Sequence, residues 1–310
     1  MAWVHISDAC IAACENVGII YKQFPADDKF HVVDAIDGKT RNGAGRLKFF
    51  SDGKGGIACN WKTGQQQPFF VNGKQGESTP PEELERIRKE QQRRAAEQLK
   101  NYDRAARRAV AIWQAAKPAP VDHPYLITKR VKPHGARLGS WQRTIQDEQG
   151  KHLKLNIEIS LILPMYNAAG KVRSLQAIFT EKHPLLGRNK DFLPGGQVAG
   201  LFWWIGPKSD KVLICEGFAT AATLHEETGL RVYLAFTANN LMAVGLIVRG
   251  KLPDAEIVVC ADNDTATPGN PGLTKATAAA QAVGASLAVP PIAGDFNDYS
   301  IFLMGVGNDK

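Results

Sequence analysis

The chain has 310 residues and a hydrophobic fraction of 44%, which predicts two domains or three small ones with packed cores and excludes a wholly disordered protein. Its formal net charge of +7 favours a polyanionic partner. No apolar run is long enough to span a membrane and the N-terminus lacks the basic start of a signal peptide, so we expect a cytoplasmic protein without a membrane partner.

Residues 1–77 are predicted to form a short helix and a small antiparallel β module. Asn-Gly and Asp-Gly dipeptides separate its β-prone pieces and are hairpin turn signals. Its basic residues alternate with aromatic ones, which is typical of proteins that bind single-stranded nucleic acid, but a small core with a solvated rim explains the pattern equally well. The candidate DNA-binding residues are Arg46, Lys48 and Trp61. The helix is expected over 6–17, and the β pieces over 30–36, 46–50 and 56–61.

Zinc is not expected in this module. A structural zinc site needs four tetrahedral ligands. The module contains only His31 and Cys59, while Cys10 and Cys14 lie on the predicted helix. The five cysteines include no Cys-x-x-Cys pair and predict no disulfide framework.

Residues 78–120 are predicted to form one long charged helix over 82–117 and a linker that ends at Pro120. Acidic residues favour the start of the helix, and Pro118 ends it. Arginine and lysine alternate with acids in its first half and dominate its second half. Such mixed charge indicates a solvated face, and a connector that follows nucleic acid is the alternative.

Residues 121–208 are predicted to form a mixed α+β basic subdomain. A β-hairpin is expected over 161–179, and a basic, Gly-rich loop follows it. A loop of this kind beside an acidic edge suits triphosphate binding, whereas a surface hairpin with solvated lysines is the alternative. For His123, which opens the subdomain, we expect a capping or structural role. The candidate contacts with nucleotide or DNA are Lys182, Arg188 and Lys190.

Residues 209–310 alternate apolar strands with helices, which predicts βαβ units and one sheet covered on both faces. Acidic residues follow the strands, and ligands bind at that edge of an open α/β sheet. The expected strands are 211–215, 231–236, 257–261 and 286–289, and the expected helices are 218–228, 239–250 and 273–283. The acids are Glu216, Asp262, Asp264, Asp295 and Asp298.

These five carboxylates are expected to converge on a metal ion. Close carboxylates repel one another unless a cation lies among them, and Mg²⁺ prefers oxygen ligands that include substrate phosphates. Any one of these acids alone is equally well explained as a loop residue or helix cap. The whole set in this order favours a metal site.

The acidic motifs resemble those of a Toprim domain, which bacterial-type DNA primases, type IA and type II topoisomerases and some nucleases share. The matching motifs are Glu216-Gly-x-Ala-Thr-Ala after a strand and Asp262-x-Asp264 after a later strand. The resemblance implies that Glu216 is a general acid/base and that the Asp-x-Asp pair holds Mg²⁺ or Mn²⁺. Asp295 and Asp298 match the family's further acidic cluster. The preceding subdomain is similar to that of plasmid- and phage-encoded primases, in which Lys190 matches a lysine before an aromatic residue.

The expected fold class is thus α/β, with a Toprim-type sheet of mainly parallel strands flanked by helices. A mixed α+β basic subdomain and the small N-terminal β module precede it, the latter at the position of the family's zinc ribbon.

The resemblance implies a DNA primase of a plasmid, phage or other mobile element, which makes short RNA primers on single-stranded DNA from ribonucleoside triphosphates. A Toprim metal-dependent nuclease and a non-catalytic single-stranded-DNA-binding protein are the alternatives. A topoisomerase fits less well, because the remaining length has no room for a strand-passage domain. The sequence contains no P-loop motif, so a replicative helicase would act in trans or not at all.

Overall fold

The computed structural model describes residues 5–37, 42–71, 81–146 and 150–307. The chain divides into two compact units, Met1–Glu90 and Gln91–Lys310. The predicted boundary between residues 77 and 78 lies outside the described residues. None of the helices in the described ranges combines the length and apolar character that crossing a bilayer requires.

The first unit is a helix packed on one face of a four-stranded antiparallel sheet. Inward-facing Leu47 and Phe49 pack against the buried cysteines Cys10 and Cys14 of the helix. The helix and the first three strands agree with the prediction. The fourth strand was not predicted, because its Gln-Gln-Pro start lacks strand-forming residues. The elements are α1 (Ile6–Val17), β1 (His31–Val33), β2 (Gly45–Phe49), β3 (Gly55–Asn60) and β4 (Gln66–Phe70).

The second unit begins within the long helix α2 (Pro81–Ala115), which starts and ends within two residues of its predicted bounds. Its alanines Ala105 and Ala109 are buried in a core with Trp141 and Leu175. Small side chains on this stripe let the helix lie close to the sheet that follows.

That sheet has five antiparallel strands in the order β5-β6-β7-β8-β9. The predicted hairpin is its centre, but its strands extend further in both directions, and the preceding strand β6 was not predicted. The expected loop around Arg188 and Lys190 is instead strand β9. Its charged residues hid the alternation, because the inward position is an aspartate. The elements are β5 (Lys117–Pro118), α3 (Pro124–Lys129), β6 (Arg137–Gln146), β7 (His152–Tyr166), β8 (Val172–His183) and β9 (Arg188–Phe192).

His123 caps helix α3, as predicted. Its Nδ1 accepts a hydrogen bond from the backbone N–H of Tyr125 at 3.2 Å. Its Nε2 lies 3.0 Å from the carbonyl oxygen of Ile159, which the ring N–H can reach as a donor.

The last sheet has the strand order β10-β12-β11-β13-β14, with β11 to β14 parallel and β10 antiparallel at one edge. The mainly parallel sheet confirms the predicted fold class. Strand β10 and the final helix α7 were not predicted. The strands are β10 (Trp203–Ile205), β11 (Lys211–Cys215), β12 (Arg231–Leu234), β13 (Glu256–Cys260) and β14 (Ser286–Ala288), and the helices are α4 (Phe218–Thr228), α5 (Leu241–Lys251), α6 (Pro271–Val283) and α7 (Phe296–Gly307).

Both faces of the parallel sheet are covered. Helices α5 and α6 bury Val244 and Ala276 against one face. Helix α4 buries Phe218 against the other face, in a core that also contains Leu161 and Met165 of strand β7. The antiparallel sheet and the parallel sheet therefore share one hydrophobic core within this unit.

Candidate active site

The acidic residues predicted from the sequence follow the carboxyl ends of parallel strands. Glu216 comes directly after β11, and its carboxylate accepts a hydrogen bond from the backbone N–H of Ala238. Asp262 and Asp264 lie just beyond the end of β13. All three acidic residues are half-buried. Because β11 and β13 are neighbours in the sheet, these acids share one edge.

A short antiparallel bridge holds the last acidic segment against this edge. The Asn263 N–H donates to the carbonyl of Gly294 at 2.8 Å, and the Gly294 N–H donates back to the Asn263 carbonyl at 3.0 Å. The side chain of Asn270 fixes the same turn, because its Oδ1 accepts from the Asp264 N–H at 2.9 Å. These bonds place Asp295, which follows Gly294, beside the Asp-x-Asp pair.

The electrostatics of the acids indicate that they converge. Burial, together with neighbouring carboxylates, raises the pKa of Asp262 to about 7. Those carboxylates are Glu216, Asp295 and Asp264. Burial also raises the pKa of Glu216, and the ammonium of Lys190 is the largest influence in the opposite direction. The structure therefore brings together four of the predicted acids and one predicted cation.

A divalent cation fits this group of acids. Oδ1 of Asp262 is buried and has no hydrogen-bond partner within the described residues, which is costly unless a ligand pairs with it. In the part of the chain that the structure describes, no three His, Cys, Asp or Glu side chains already form a metal-ligand group. Mg²⁺ does not need one, because it is commonly held by one or two carboxylates with water and substrate phosphates.

Asp295 and Asp298 also cap helix α7. The Asp298 N–H donates to Oδ1 of Asp295 at 2.9 Å, and the Asp295 N–H donates to Oδ2 of Asp298 at 3.2 Å, as in a capping box. Asp298 pairs further with Lys129 at 3.1 Å, and Asp295 accepts from the hydroxyl of Thr220 at 3.0 Å. Protein groups thus already partner both carboxylates, in contrast to Oδ1 of Asp262. That either one binds metal stays a prediction.

Replacement of Gly294 by Ala is expected to destabilise this edge by about 1–3 kcal/mol, because Gly294 has a φ of 109° that only glycine adopts without strain. An added Cβ would also lie 2.6 Å from Oδ2 of Asp298 and disturb the cap. Urea denaturation measures the loss. The matched control is Gly305→Ala in α7, where a Cβ has no neighbour within 4 Å and stability should be unchanged or higher. Equal stability of the two variants would contradict the expectation.

Lys190 lies beside the acidic edge and also lines a basic cavity. Lys190 lies on β9, and its Nζ is 3.8 Å from where a Cβ at Gly217 would be, next to Glu216. A cavity of about 490 Å³ opens beside it. The charged residues that line the cavity are Arg143, Arg188, Lys190 and Asp191.

A second cavity of about 500 Å³ extends the basic surface, since it shares Arg143 and adds Arg108 of α2 and Lys154 of β7. The sequence patterns distinguish neither Arg143 nor Lys154, because the strand that carries Arg143 is not predicted and charged residues in turn-rich segments are common. Lys182, which was predicted as a contact, is exposed on β8 and lines neither of these two cavities.

The candidate DNA-binding residues of the first unit form two local clusters. The guanidinium of Arg46 lies 4.0 Å from the ring centroid of Trp61, and its Nη1 donates to the carbonyls of Gly43 and Gly45. Trp61 is 69% exposed. Nζ of Lys48 is 3.6 Å from Oδ1 of Asp28. Arg46 therefore orients the indole of Trp61, and the roles of all three candidates in DNA binding stay predictions.

A comparison with protein families defines the class of the parallel sheet. Residues 211–302 match the family model of the Toprim domain. The chain therefore carries a Toprim domain, and the resemblance seen in the acidic motifs is confirmed.

Over a longer stretch the chain is similar to DNA primases. It is 31% identical over 215 residues to a DNA primase TraC of Escherichia coli, and the match covers 66% of this chain and 18% of that protein. With a second DNA primase TraC of Escherichia coli it shares 30% identity over 226 residues, which is 70% of this chain and 14% of that protein. The chain thus spans less than one fifth of the length of these curated relatives.

Solved primase structures are more distantly similar. The RNA polymerase domain of Mycobacterium tuberculosis primase DnaG matches with 17% identity and a TM-score of 0.45, covering 65% of this chain and 79% of that chain. The catalytic core of the Escherichia coli primase matches with 13% identity and a TM-score of 0.42, covering 65% of this chain and 75% of that chain.

Proposed function

We propose that the chain is a DNA primase that makes short RNA primers on single-stranded DNA from ribonucleoside triphosphates, in a plasmid, phage or other mobile element. The observation that carries the proposal is the buried, unpartnered oxygen of Asp262 among further acids, at a Toprim edge that Lys190 also faces. Sequence similarity to DNA primase TraC supports it. Four domains with the predicted boundaries remain part of this proposal.

The acids would have two roles, metal binding and proton transfer. Asp262 and Asp264 would hold Mg²⁺ or Mn²⁺, and Toprim primases generally use divalent metals. When bound, the ion would neutralise the triphosphate and the charge that develops during in-line displacement. Glu216, whose pKa burial raises, is suited to take the proton from the 3′-hydroxyl of the growing primer. Asp295 is near enough to influence both Glu216 and Asp262.

The cations would bind the anionic substrates. Lys190 and Arg188 border the cavity next to the acids and suit the phosphates of an incoming nucleotide. Arg143, Arg108 and Lys154 extend the basic surface and suit the DNA backbone. The further predicted contacts with template or nucleotide are Lys182, Arg46, Lys48 and Trp61.

Primer synthesis by the full chain tests the proposal. We expect short labelled RNA products when single-stranded DNA, labelled ribonucleotides and Mg²⁺ or Mn²⁺ are all present. Products should disappear when EDTA removes the metal and return when the metal is restored in excess, because Asp262 and the carboxylates around it need a cation among them to bind a triphosphate. Addition of a replicative helicase in trans tests whether that partner stimulates synthesis.

Two other results would contradict the proposal. Shortened DNA without any need for ribonucleotides would identify a Toprim nuclease, which uses the same acids to activate water. Binding of DNA that is unaffected by EDTA, with neither synthesis nor cleavage, would identify a non-catalytic single-stranded-DNA-binding protein.

A further inference from the structure

A buried carboxylate lies under the basic cavity, and neither the Toprim motifs nor the proposed metal site uses it. Asp191 is 3% exposed, although it follows the exposed Lys190 on β9. Its Oδ1 is 2.6 Å from Nη2 of Arg188. Its Oδ2 accepts a hydrogen bond from the indole N–H of Trp141 at 2.9 Å and is 3.7 Å from Nε of Arg143.

Stability alone gives a weak reason for an aspartate at this position. The surrounding core is apolar and contains Trp141, Leu175, Ala177 and Leu193. A buried carboxylate must be desolvated, and replacement of such ion pairs by packed apolar residues is often neutral or stabilising. The position therefore points to a role for the charge itself.

The geometry supplies that role, because Asp191 joins two arginines that come from different strands. Arg143 lies on β6 and Arg188 on β9, and both line the cavity next to Lys190. Without a carboxylate between them, the two guanidinium groups would repel each other. Nε of Arg143 is buried and has no hydrogen-bond partner among the described residues, so the carboxylate of Asp191, 3.7 Å away, compensates the burial of this guanidinium through its charge.

We propose that Asp191 is a positioning residue, which holds Arg143 and Arg188 so that they form, with Lys190, a preorganised site for phosphate groups. The phosphates belong to the triphosphate of an incoming nucleotide or to the backbone of the DNA strand, since both present the same oxygens to a guanidinium. The inference rests on the proposed function and adds a residue that would contact no substrate itself.

Two possible roles of Asp191, lowering the positive potential of the cavity or holding the two arginines in place, predict opposite results for Asp191→Asn. The substitution keeps the size of the side chain and removes one negative charge from a basic cavity. If Asp191 only reduced the positive potential, anions would bind more tightly to the variant. If it positions the arginines, anions bind more weakly because the guanidinium groups are no longer held in place.

The experiment measures binding and synthesis with the full chain. We expect Asp191→Asn to weaken the binding of one phosphate-bearing ligand, the ribonucleotide or the DNA, about tenfold. That factor corresponds to the loss of one well-placed charged hydrogen-bond pair. One arm measures the KM and kcat for ribonucleotides, and the other measures the Kd for a fluorescent oligodeoxythymidylate. A higher KM with little change in kcat and DNA affinity assigns the site to the triphosphate, whereas weaker DNA binding at unchanged KM assigns it to the DNA backbone.

The matched control is Asp103→Asn, which breaks another aspartate–arginine pair of the same unit, with Arg173 at 2.6 Å, away from both cavities. It should leave KM and Kd unchanged. A second variant, Trp141→Phe, removes the indole donor to Asp191 without changing any charge and should weaken binding several-fold. It decides the question if Asp191→Asn does not fold.

Tighter or unchanged binding of both anions by Asp191→Asn would overturn the inference, as would unchanged binding by Trp141→Phe where the first variant does not fold. A wild-type chain that binds neither ribonucleotide nor DNA would overturn this inference and the proposed function together. A wild-type chain that makes primers, with variants that match it in KM and Kd, would overturn this inference alone.

Discussion

Replacement of Asp262 by Asn is expected to lower primer synthesis about 100-fold or more. Oδ1 of Asp262 is the buried oxygen without a partner, and it lies where the other acids converge. An amide has the same shape but no charge, so a divalent ion would lose a charged oxygen ligand. Electrostatic stabilisation of the transition state by about several kcal/mol would be lost, and each 1.4 kcal/mol corresponds to about a tenfold change in rate.

The pKa of Asp262 separates this effect from unfolding. Because the pKa is raised to about 7 in the folded chain, the proton binds more tightly to the folded state than to the unfolded state. The contribution of Asp262 to stability is therefore greatest below its ordinary pKa and is lost as the pH rises towards 7. Asn carries no charge at any pH, so at pH 8 and without metal the variant should melt at the same temperature as the wild type or higher.

The primer synthesis assay, run at saturating metal and nucleotide, measures the loss. Asp254→Asn is the matched control, since Asp254 is an exposed acid of the same domain, away from the acidic edge. It should keep full activity. Synthesis at near wild-type rates by Asp262→Asn would remove Asp262 from the metal site.

The largest loss of stability is expected from Phe218→Ala, at about 3–5 kcal/mol. Phe218 is fully buried in the core that both sheets share. Its ring stacks on Trp203, with a centroid distance of 5.8 Å and an interplanar angle of 6°. Truncation would leave a cavity next to Trp203 and remove the stacking contact, because packed cores collapse only partly around a deletion.

Urea denaturation measures the change, and of the six tryptophans Trp203 and Trp204 lie in or against this core and supply a fluorescence signal from it. Phe302→Ala is the control, because Phe302 in α7 is 51% exposed and its truncation should change the free energy of unfolding by less than about 0.5 kcal/mol. A loss below 1 kcal/mol for Phe218→Ala would mean that the core around β7 and α4 is not packed as described.

The parallel sheet could be predicted from the sequence because its signals are local. Strand β11 is one apolar run, Glu216 follows it at once, and the alanine-rich helix α4 ends at Thr228, just before Gly229, as predicted. Because the carboxyl ends of parallel strands lie at one edge of a sheet, this local pattern was enough to predict that Glu216 and Asp262 lie close together. Family resemblance added roles for these residues that the patterns alone left open.

Other features depend on contacts between distant segments and could not be predicted. Strand β6 exists because it pairs along β7, although its own sequence mixes polar and apolar residues without a clear period. In the sequence Asp191 is one more charged residue in a basic stretch. Its burial depends on a hydrogen bond from the indole of Trp141, fifty positions earlier, which no local pattern indicates. A helix cap was one explanation for Asp298 from the sequence, but α7 was not predicted, and the partners Asp295 and Lys129 are known only from the structure.

The core shared by the two sheets has a mechanical consequence. Leu161 and Met165 of the strand next to β8 pack into the same core as Phe218, which directly follows the Glu216-Gly217 turn. The cations on the antiparallel sheet and the carboxylates on the parallel sheet are therefore carried by elements that pack into one core. The spacing between these two sets of charges therefore depends on how this core packs, and a substitution that loosens the core should change that spacing as well as the stability of the unit.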